Sequence, residues 1–323
     1  MKHVLRILAV IGTFLGTFIL AVCIAVVIIM KGPSHSAAEL FTLSLKETSA
    51  LKWIPDIFFS DEEIQQIIDN NSVKGTDETT NTDLIDTTDT ASQDIEIYEI
   101  SGPTYIGDVM LIKDPSRLFV GNKGPYDGSG GTTVDVIAAR YDAVAGINGG
   151  GFYDAGGMGN GGVPDGFVIS EGEYCYGDRY TPYAAIGFTL DNKMVIGTFT
   201  GQDAVDMGLR DCVCVQTVYA PVLILNGEEQ EVAGVGGGLN PRTAIGQTAD
   251  GTIIFVTTDG RQANSIGATF SDMIKIMSDY GAVNAASLDG GSSTQMYYEG
   301  KFLNTPYALS GPRDVPNAFL IRR

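Results

Sequence analysis

The clearest chemistry-bearing residue in the sequence is Asp289, which follows a small apolar run ending at Leu288 and precedes Gly290 and Gly291. Three hydroxyl residues come directly after the glycines. Glycine lets a ligand approach the backbone closely, and the end of a β-rich run holds a side chain rigidly. A carboxylate placed there can act as a base on water or stabilise developing positive charge. The alternative is a turn aspartate bonded to its own backbone.

Polar residues of the same kind recur in six glycine-bounded segments. These segments are 145–154, 163–172, 240–246, 257–261, 288–294 and 311–317. Any one of them could be an ordinary turn, because Asp-Gly and Asn-Gly are common turn dipeptides. Arg242, Arg261 and Arg313, however, each lie in one of the segments, and a guanidinium binds phosphate or carboxylate through two parallel hydrogen bonds. Together they predict a site for an anionic group, although each arginine alone could be a solvated surface charge.

Histidine and net charge exclude several classes of function. The two histidines, His3 and His35, precede the globular part of the sequence, which removes a serine-histidine-aspartate triad and a histidine-ligated zinc site from that part. The net charge of −19 argues against nucleic acid as a partner, since phosphate backbones are bound by lysine and arginine. The remaining chemistry must use carboxylates, arginines, hydroxyls, amides and backbone.

A long apolar segment near the N-terminus predicts a membrane anchor. The run 7–30 carries no charge and, at about 1.5 Å per residue, can span the roughly 30 Å hydrocarbon core. A cleaved signal peptide is the alternative, but its apolar region is usually shorter. Lys2 and Arg6 precede the run, so the N-terminus is expected in the cytoplasm and the rest of this single-pass protein outside the cell membrane.

Four regions follow from composition. Residues 1–31 are the cytoplasmic N-terminus and transmembrane anchor, and 32–70 form an extracytoplasmic stalk. Residues 71–94 are rich in threonine and acids and are expected to be a disordered linker. Residues 95–323 form one strand-rich α+β domain with few helices, of which 132–144 and 268–281 stand out; the second opens with a capping pair, Thr269 and Asp272.

With the six segments in this order, residues 141–321 resemble the phosphodiester glycosidase family. The resemblance is tightest over 241–296, where PRTAIG, a β-rich run ending in DGR, a SIGAT turn, a helix and LDGGSST follow one another with the family's spacing. Two features depart from the family's pattern. Ser292 stands where a third glycine is common, and Ser287 stands where an asparagine often precedes the Leu-Asp pair.

The resemblance implies hydrolysis of the bond between a sugar's anomeric carbon and a phosphodiester. A phosphate monoester leaves readily, so one decisive acid with cations on the phosphate could replace the usual pair of carboxylates. Asp289 is the first choice for that acid and Asp259 the second. The expected substrate-binding residues all lie in the motifs; they are Asn148, Gly149, Gly150, Arg242, Thr243, Arg261, Gly290, Gly291, Ser292, Ser293 and Arg313. No cofactor is required.

The loop 153–166 is rich in oxygen-bearing side chains and glycine. Asp154, Asn160 and Asp165 are candidate calcium ligands, without the spacing of an EF-hand, and the competing interpretation is a glycine-rich lid over the site.

The predicted function is that of a membrane-anchored extracytoplasmic glycosidase acting on a sugar-1-phosphodiester in a cell-surface polymer or glycan fragment. Its partners would be that glycan and, through the N-terminal helix, the membrane. The alternative is a non-catalytic module that binds phosphate-containing surface glycans. An aspartic peptidase using Asp259 and Asp289 ranks last, since the two are too close in sequence to come from separate lobes.

Overall fold

The computed structural model describes residues 2–48, 50–75, 78–88, 92–154, 159–216, 221–307 and 311–323. Its α-helices, numbered in chain order, are α1 (Lys2–Lys31), α2 (His35–Lys46), α3 (Asp61–Asn70), α4 (Val134–Arg140), α5 (Gly201–Asp206) and α6 (Phe270–Asp279). The strands of the described residues are β1 (Ile95–Ser101), β2 (Ile106–Ile112), β3 (Leu118–Asn122), β4 (Ala143–Asn148), β5 (Val168–Ser170), β6 (Glu173–Tyr176), β7 (Pro182–Thr189), β8 (Met194–Thr200), β9 (Leu209–Cys214), β10 (Val222–Leu225), β11 (Glu228–Glu229), β12 (Arg242–Thr248), β13 (Ile253–Thr258), β14 (Ala282–Ser287), β15 (Met296–Tyr298), β16 (Lys301–Phe302) and β17 (Asn317–Arg322). The predicted strand-rich α+β domain preceded by an apolar helix is confirmed.

Three antiparallel sheets build the domain. The first has the order β1-β2-β13-β12-β14-β10-β11, the second β16-β15-β4-β17-β3 and the third β6-β5-β9-β7-β8. Their facing sides share one buried core, which includes Phe188 of the third sheet and Phe319 of the second, with ring centroids 6.0 Å apart. Because sheets packed face to face hold their strand ends rigidly, loops at those ends can present side chains with little freedom.

The two predicted helices cover outer faces of the sheets. Helix α6 buries Met273 and Met277 against the first sheet, and its capping box is formed by Thr269 and Asp272, as predicted. Helix α4 is shorter than predicted, because the backbone at Asp142 takes φ 50° and turns the chain directly into β4. The caps therefore located α6 well, whereas the spacing of apolar residues alone overran α4.

Helix α1 has the length and apolar composition needed to cross a membrane, over His3–Lys31. Its last turn meets the segment that follows it. The Thr42 hydroxyl of α2 donates to the sulfur of Met30 at 3.7 Å, and Lys31 Nζ donates to the carbonyl of Phe58 at 2.6 Å. The region 35–59 therefore lies against the end of the apolar helix.

The region 32–70, predicted as a stalk, packs on the domain instead of standing away from it. The Ser44 hydroxyl accepts a hydrogen bond from the amide of Leu239 at 2.9 Å, and the side chain of Asn71, directly after this region, accepts one from the amide of Val235 at 2.7 Å. Both contacts fall on the segment 234–239, which leads into β12. The predicted stalk is thus fixed beside a strand that carries one of the predicted arginines.

The described part of 71–94 also differs from the expected disordered linker. Ile85 is 2% exposed and belongs to the main core. The Thr80 hydroxyl bonds both the amide and the carbonyl of Ile196 at 2.8 Å, on β8 at the edge of the third sheet. One isoleucine in the core and side-chain bonds to an open strand edge can order a polar segment that lacks a core of its own. Positions 76, 77 and 89–91 lie outside the described residues.

Candidate active site

A cavity of about 240 Å³ opens where loops from several strand ends meet the region 35–59. The described residues that line it come from both parts of the chain. They are Lys46, Glu47, Thr48, Lys52, Gly151, Phe152, Asp154, Asp165, Val215, Gln216, Arg242, Arg261, Asp289, Gly290, Gly291, Ser292 and Arg313. Asp289 and all three predicted arginines are therefore brought together in one place.

Asp289 follows β14, and main-chain and side-chain bonds hold it on either side. The amide of Leu288 donates to the carbonyl of Thr243 at 2.8 Å, and the Asn148 side-chain amide donates to the carbonyl of Asp289 at 2.6 Å. These bonds fix the backbone on both sides of Asp289, which lines the cavity.

The environment of Asp289 makes it a stronger base than a surface aspartate. Loss of solvation on burial raises its pKa to about 6, while the Ser293 hydroxyl and the Arg313 guanidinium oppose the rise. The negative charges of Asp165 and Asp154 add to it. A carboxyl group with a pKa near neutrality is suited to accepting a proton from water.

The turn after Asp289 requires glycine at position 291. Gly291 has φ 61°, and its amide donates to the carbonyl of Pro241 at 2.8 Å. A Cβ atom at this position would lie 3.2 Å from Nη2 of Arg261. The turn continues as a single 3-10 turn over Gly291–Ser293. Ser292, in place of the family's third glycine, is accommodated while Asp289 stays in the cavity.

Arg242 begins β12 and is 2% exposed. Its guanidinium donates to the carbonyls of Gly238 at 2.7 Å and Ala268 at 3.3 Å, and lies 3.9 Å from the ring centroid of Phe270. Its two terminal nitrogens contact the two carboxylate oxygens of Glu47, at 3.0 and 3.1 Å. This is the paired geometry with which arginine binds a phosphate.

Arg261 extends across the same turn from a residue with φ 59°. Its Nη2 donates to the Asn240 side chain at 2.8 Å and to the carbonyl of Glu47 at 2.9 Å. Its Nη1 lies 3.5 Å from the Ser292 hydroxyl. Burial lowers the pKa of Arg261, while the charge of Glu47 opposes that shift. Two guanidinium groups therefore contact the same residue of the stalk.

Arg313 also lines the cavity. It forms an ion pair with Asp154 at 2.7 Å, and its guanidinium lies 4.7 Å from the ring centroid of Phe152. Asp165 lines the same cavity and accepts a hydrogen bond from the Gln216 side chain at 2.9 Å. Burial raises the pKa of Asp165, the bond from Gln216 lowers it, and the charge of Asp154 raises it further. The cavity thus holds a second carboxyl group with a raised pKa.

The three calcium candidates do not converge on one point. Asp154 is paired with Arg313, and the Asn160 side chain accepts a hydrogen bond from the amide of Gly162 at 3.1 Å. Within the ranges that the structure describes, no group of three His, Cys, Asp or Glu residues could hold a metal ion. The geometry gives the calcium hypothesis no support. The competing glycine-rich lid includes positions 155–158, which lie outside the described residues.

Five predicted substrate-binding residues are not among the residues that line the cavity; they are Asn148, Gly149, Gly150, Thr243 and Ser293. The Asn148 side chain is fully buried and accepts from the Thr243 hydroxyl at 2.8 Å. The amides of Gly149 and Gly150 donate to Asn317, at 3.0 Å to its carbonyl and 2.9 Å to its side chain. Because these donors and acceptors already have partners inside the protein, they position the Asp289 loop and the neighbouring strands rather than offer free groups to a ligand. Ser293 is also buried, whereas Ser292 lines the cavity.

Asp259 is not among the cavity-lining residues of the described chain. It is buried and accepts a hydrogen bond from the amide of Thr305 at 2.9 Å. Burial raises its pKa, and its charge contributes to raising the pKa of Asp108 to about 6. The aspartic peptidase hypothesis loses its geometric basis, because Asp259 does not share the cavity of Asp289.

The stalk residues of the cavity had no signal in the sequence. Lys46, Glu47, Thr48 and Lys52 line it, although Glu47 precedes Arg242 by 195 positions. They lie outside the glycine-bounded motifs, in a region of weak helical periodicity. Only the packing of the stalk against the segment before β12 brings these stalk residues to the site. Gln216, two residues after the end of β9, also lies outside the motifs.

Comparison with known proteins agrees with the motif pattern. The profile of the phosphodiester glycosidase family matches residues 141–322, more than half of the chain. The chain belongs to the phosphodiester glycosidase family. The matched range contains Asp289, the three arginines and Asp165, whereas the stalk residues that complete the cavity lie before it.

Solved structures share the fold of this member of the family. The catalytic domain of zebrafish N-acetylglucosamine-1-phosphodiester alpha-N-acetylglucosaminidase, auto-inhibited by its pro-peptide, is similar with a TM-score of 0.60 and 21% identity, covering 76% of this chain and 88% of that one. A putative exported protein of Burkholderia pseudomallei K96243 is similar with a TM-score of 0.51 and 19% identity, covering 68% of this chain and 74% of that one.

One curated relative matches a short stretch of the chain. The SPbeta prophage-derived uncharacterized protein YomE of Bacillus subtilis (strain 168) is 48% identical over 65 residues, which are 20% of this chain. The matched stretch spans about a tenth of the length of that relative.

Proposed function

We propose that the domain hydrolyses the glycosidic bond of a sugar-1-phosphodiester. The observation that carries this proposal is the convergence of the Asp289 carboxylate with Arg242, Arg261 and Arg313 on one cavity. Asp289 supplies a base of pKa about 6, and the guanidinium groups supply positive charge for the phosphate. Membership of the phosphodiester glycosidase family supports the same reaction.

In the proposed reaction, water attacks the anomeric carbon and gives its proton to Asp289. The bond between that carbon and the phosphate oxygen breaks, and its electron pair leaves with the phosphate. The products are a reducing sugar and a phosphate monoester. Because a phosphate monoester is a good leaving group, positive charge from Arg261 and Arg313 can replace the protonated acid that most glycosidases need.

Asp165 is the proposed second carboxyl group of the site. It lines the same cavity as Asp289, and its charge contributes to the raised pKa of Asp289. Two like charges in one cavity keep one carboxyl group partly protonated near neutrality. We assign Asp165 to tuning the basicity of Asp289 and to hydrogen bonding with the sugar hydroxyls, with Gln216 fixing its orientation.

Glu47 occupies the place that we propose for the substrate's phosphate. Its carboxylate bonds both terminal nitrogens of Arg242, so an incoming phosphate must displace it. The zebrafish relative has been described in a form auto-inhibited by its pro-peptide, which supports an inhibitory contact from the region preceding the family-matched range here. Removing the Glu47 charge should therefore increase activity, whereas removing Arg242 should decrease it.

We also propose that the domain is anchored on the outer side of a cell membrane. Helix α1 is long and apolar enough to span a bilayer, and the basic residues Lys2 and Arg6 lie at its N-terminal end. The Burkholderia relative is described as a putative exported protein, which agrees with this location.

The test is release of reducing sugar from methyl phosphodiesters of glucose, mannose, N-acetylglucosamine and N-acetylgalactosamine. The full chain in detergent should hydrolyse at least one of them, and Asp289→Asn should not. Absence of release above the Asp289→Asn level for every sugar would refute hydrolysis. Binding without turnover, lost in Arg242→Ala, would instead establish the alternative of a glycan-binding module, which the altered turn at Ser292 favours.

A further inference from the structure

Three large apolar side chains stand exposed on the region that links α1 to the domain. Leu51 is 44% exposed, Trp53 57% and Ile57 65%. We call them the stalk apolar surface. Trp53 is the single tryptophan of the chain. Tryptophan and large aliphatic residues are enriched where a protein meets the boundary between lipid and water, because the indole has an apolar body and a polar N-H.

This surface lies next to the end of the apolar helix. Lys31, the last residue of α1, donates to the carbonyl of Phe58 and lies 4.5 Å from the ring centroid of Phe59. Ile57 directly precedes these two phenylalanines. When α1 spans a bilayer, Lys31 lies at its outer boundary, and the stalk apolar surface lies at the same level.

The same stretch of chain forms the rim of the candidate active site. Lys46, Glu47, Thr48 and Lys52 line the cavity, and Lys52 lies in sequence between Leu51 and Trp53. One residue of the cavity rim is therefore flanked in sequence by two residues of the stalk apolar surface. The two acids of the stretch 46–57 each have a cationic partner, because Asp56 pairs with Lys46 and Glu47 pairs with Arg242.

We propose that the stalk apolar surface rests in the outer leaflet and that the enzyme takes a lipid-linked substrate, a sugar-1-phosphate esterified to a long-chain alcohol. This inference rests on the proposed function and names its substrate class. The alkyl chain stays in the bilayer, the phosphate lies at headgroup level beside Lys52, and the sugar enters the cavity toward Asp289. Hydrolysis releases the sugar to water and leaves the lipid phosphate monoester in the membrane.

The first test uses the fluorescence of Trp53, which is free of interference from any other tryptophan. The full chain is reconstituted into lipid nanodiscs in which the acyl chains are brominated at a shallow position. We expect bromolipids to quench the emission about twofold or more, and aqueous acrylamide to quench it weakly. A matched control, Trp53→Phe with Leu190→Trp, places the tryptophan at a site that is 77% exposed on the domain and should show the reverse pattern.

Quenching of Trp53 by acrylamide and not by bromolipid would overturn the membrane contact. Protection from both quenchers would also overturn it, since the surface would then be covered by protein, such as a second copy of the chain. Neither result depends on catalysis, so this measurement is independent of the proposed reaction.

The second test compares hexadecyl and methyl esters of the same sugar-1-phosphates in phosphatidylcholine vesicles that carry the full chain. We expect kcat/KM to be at least about tenfold higher for the hexadecyl ester. The double variant Trp53→Ser, Ile57→Ser should lose that advantage and keep its activity on the methyl ester, and Leu190→Ser should change neither.

The outcomes separate the two proposals. Hydrolysis of the methyl ester with no preference for the hexadecyl ester would overturn the lipid-linked substrate and leave the proposed reaction standing. Hydrolysis of neither ester, with bromolipid quenching intact, would overturn the reaction and its substrate class while supporting the membrane contact.

Discussion

The candidate cavity has two walls of different origin. One wall consists of the glycine-bounded loops that carry Arg242, Arg261, Asp289 and Arg313. The other is the stalk, which contributes Lys46, Glu47, Thr48 and Lys52. The loops carry recognisable motifs because each needs glycine at a fixed position to shape its backbone, as Gly291 shows with its φ of 61°. The stalk only has to place side chains at the end of α2 and just after it, and many sequences can do that.

The arginines of the first wall also differ in where their ion-pair partners lie. Arg313 pairs with Asp154 of its own wall, whereas Arg242 pairs with Glu47 of the other. An ion pair within one wall fixes that wall in place. An ion pair across the cavity is broken when a ligand separates the walls. The comparison therefore assigns Asp154 to positioning Arg313 and Glu47 to control of access to Arg242.

The largest effect should come from Asp289→Asn, with a loss of about 10³-fold in kcat, because removal of a positioned base typically costs 10² to 10⁴-fold. Initial rates on the best methyl phosphodiester measure it. The matched control is Asp259→Asn, which removes a buried acid outside the cavity and should stay within a few-fold of the parent. Equal losses in the two variants would contradict the placement of the reaction at Asp289.

Asp289→Asn should also be more stable than the parent chain. Burial raises the pKa of Asp289 from 3.8 to about 6, so between pH 4 and 6 the folded state keeps a proton that the unfolded state loses, and above pH 6 it holds a charge that the unfolded state solvates better. Asn removes that cost. The gain in Tm should be absent below about pH 4, grow between pH 4 and 6, and reach a few degrees above pH 6.

The second largest effect should come from substitutions in the ion pair between Arg242 and Glu47, which joins the two walls. Arg242→Lys should lower kcat/KM about 10 to 100-fold, because lysine cannot reproduce the paired bonds to a phosphate. Glu47→Gln should raise kcat/KM several-fold through a lower KM, since neutral glutamine competes weakly for Arg242. It should also lower the free energy of unfolding by about 1–3 kcal/mol, because a buried guanidinium loses its counter-charge. Thr48→Ala serves as control for a change elsewhere in the same wall.

Activity and stability that both fall in Glu47→Gln would assign Glu47 to the structure of the site alone. A rise in activity with a fall in stability is the signature expected of an inhibitory contact. Stability is measured by urea unfolding of the detergent-solubilised chain, and activity on the methyl ester, which does not depend on membrane contact.

The first wall alone should set the pH dependence. Asp289 acts as a base only when deprotonated, so kcat/KM should rise with pH and level off above about pH 6. Asp165→Asn removes a negative charge that raises the pKa of Asp289, and should therefore shift this rise to lower pH. Glu47→Gln should shift it less, because the charges of Asp165 and Asp154 are among the main causes that raise the pKa of Asp289. A rise that stays in place in Asp165→Asn would contradict the coupling between the two carboxyl groups.

Features that depend on neighbouring residues in the chain can be predicted from the sequence, whereas features that depend on contacts between distant residues cannot. The capping pair Thr269 and Asp272 predicts the start of α6, as observed. The convergence of Asp289 with three arginines followed from motif order. The structural role of Asn148 could not be predicted, because its hydrogen-bond partners Thr243 and Gln295 come from other elements of the fold. Those partners decide whether the Asn148 side chain is free to bind a ligand. The docking of Ile85 likewise depends on a space left by distant strands.

The smallest effect should come from the position where the first wall departs from its family. Ser292→Gly restores the third glycine of the turn. It should change kcat/KM less than about threefold, because the Ser292 hydroxyl makes only a long contact of 3.5 Å with Arg261. Gly291→Ala is the matched comparison. A methyl group there meets a φ of 61° and Arg261 Nη2 at 3.2 Å, so it should cost about 1–2 kcal/mol of stability and at least tenfold in activity.

If Ser292→Gly changed activity as much as Gly291→Ala, the hydroxyl would have to contact the substrate directly, since its bond within the protein is too weak to shape the turn. A small change would mean that the turn is set by the backbone at Gly291 and by the hydrogen bond from its amide to the carbonyl of Pro241. The first wall then tolerates variation at its surface as long as its backbone is kept, whereas the second wall contacts the arginines through Glu47, whose carboxylate pairs with Arg242 and whose carbonyl accepts from Arg261.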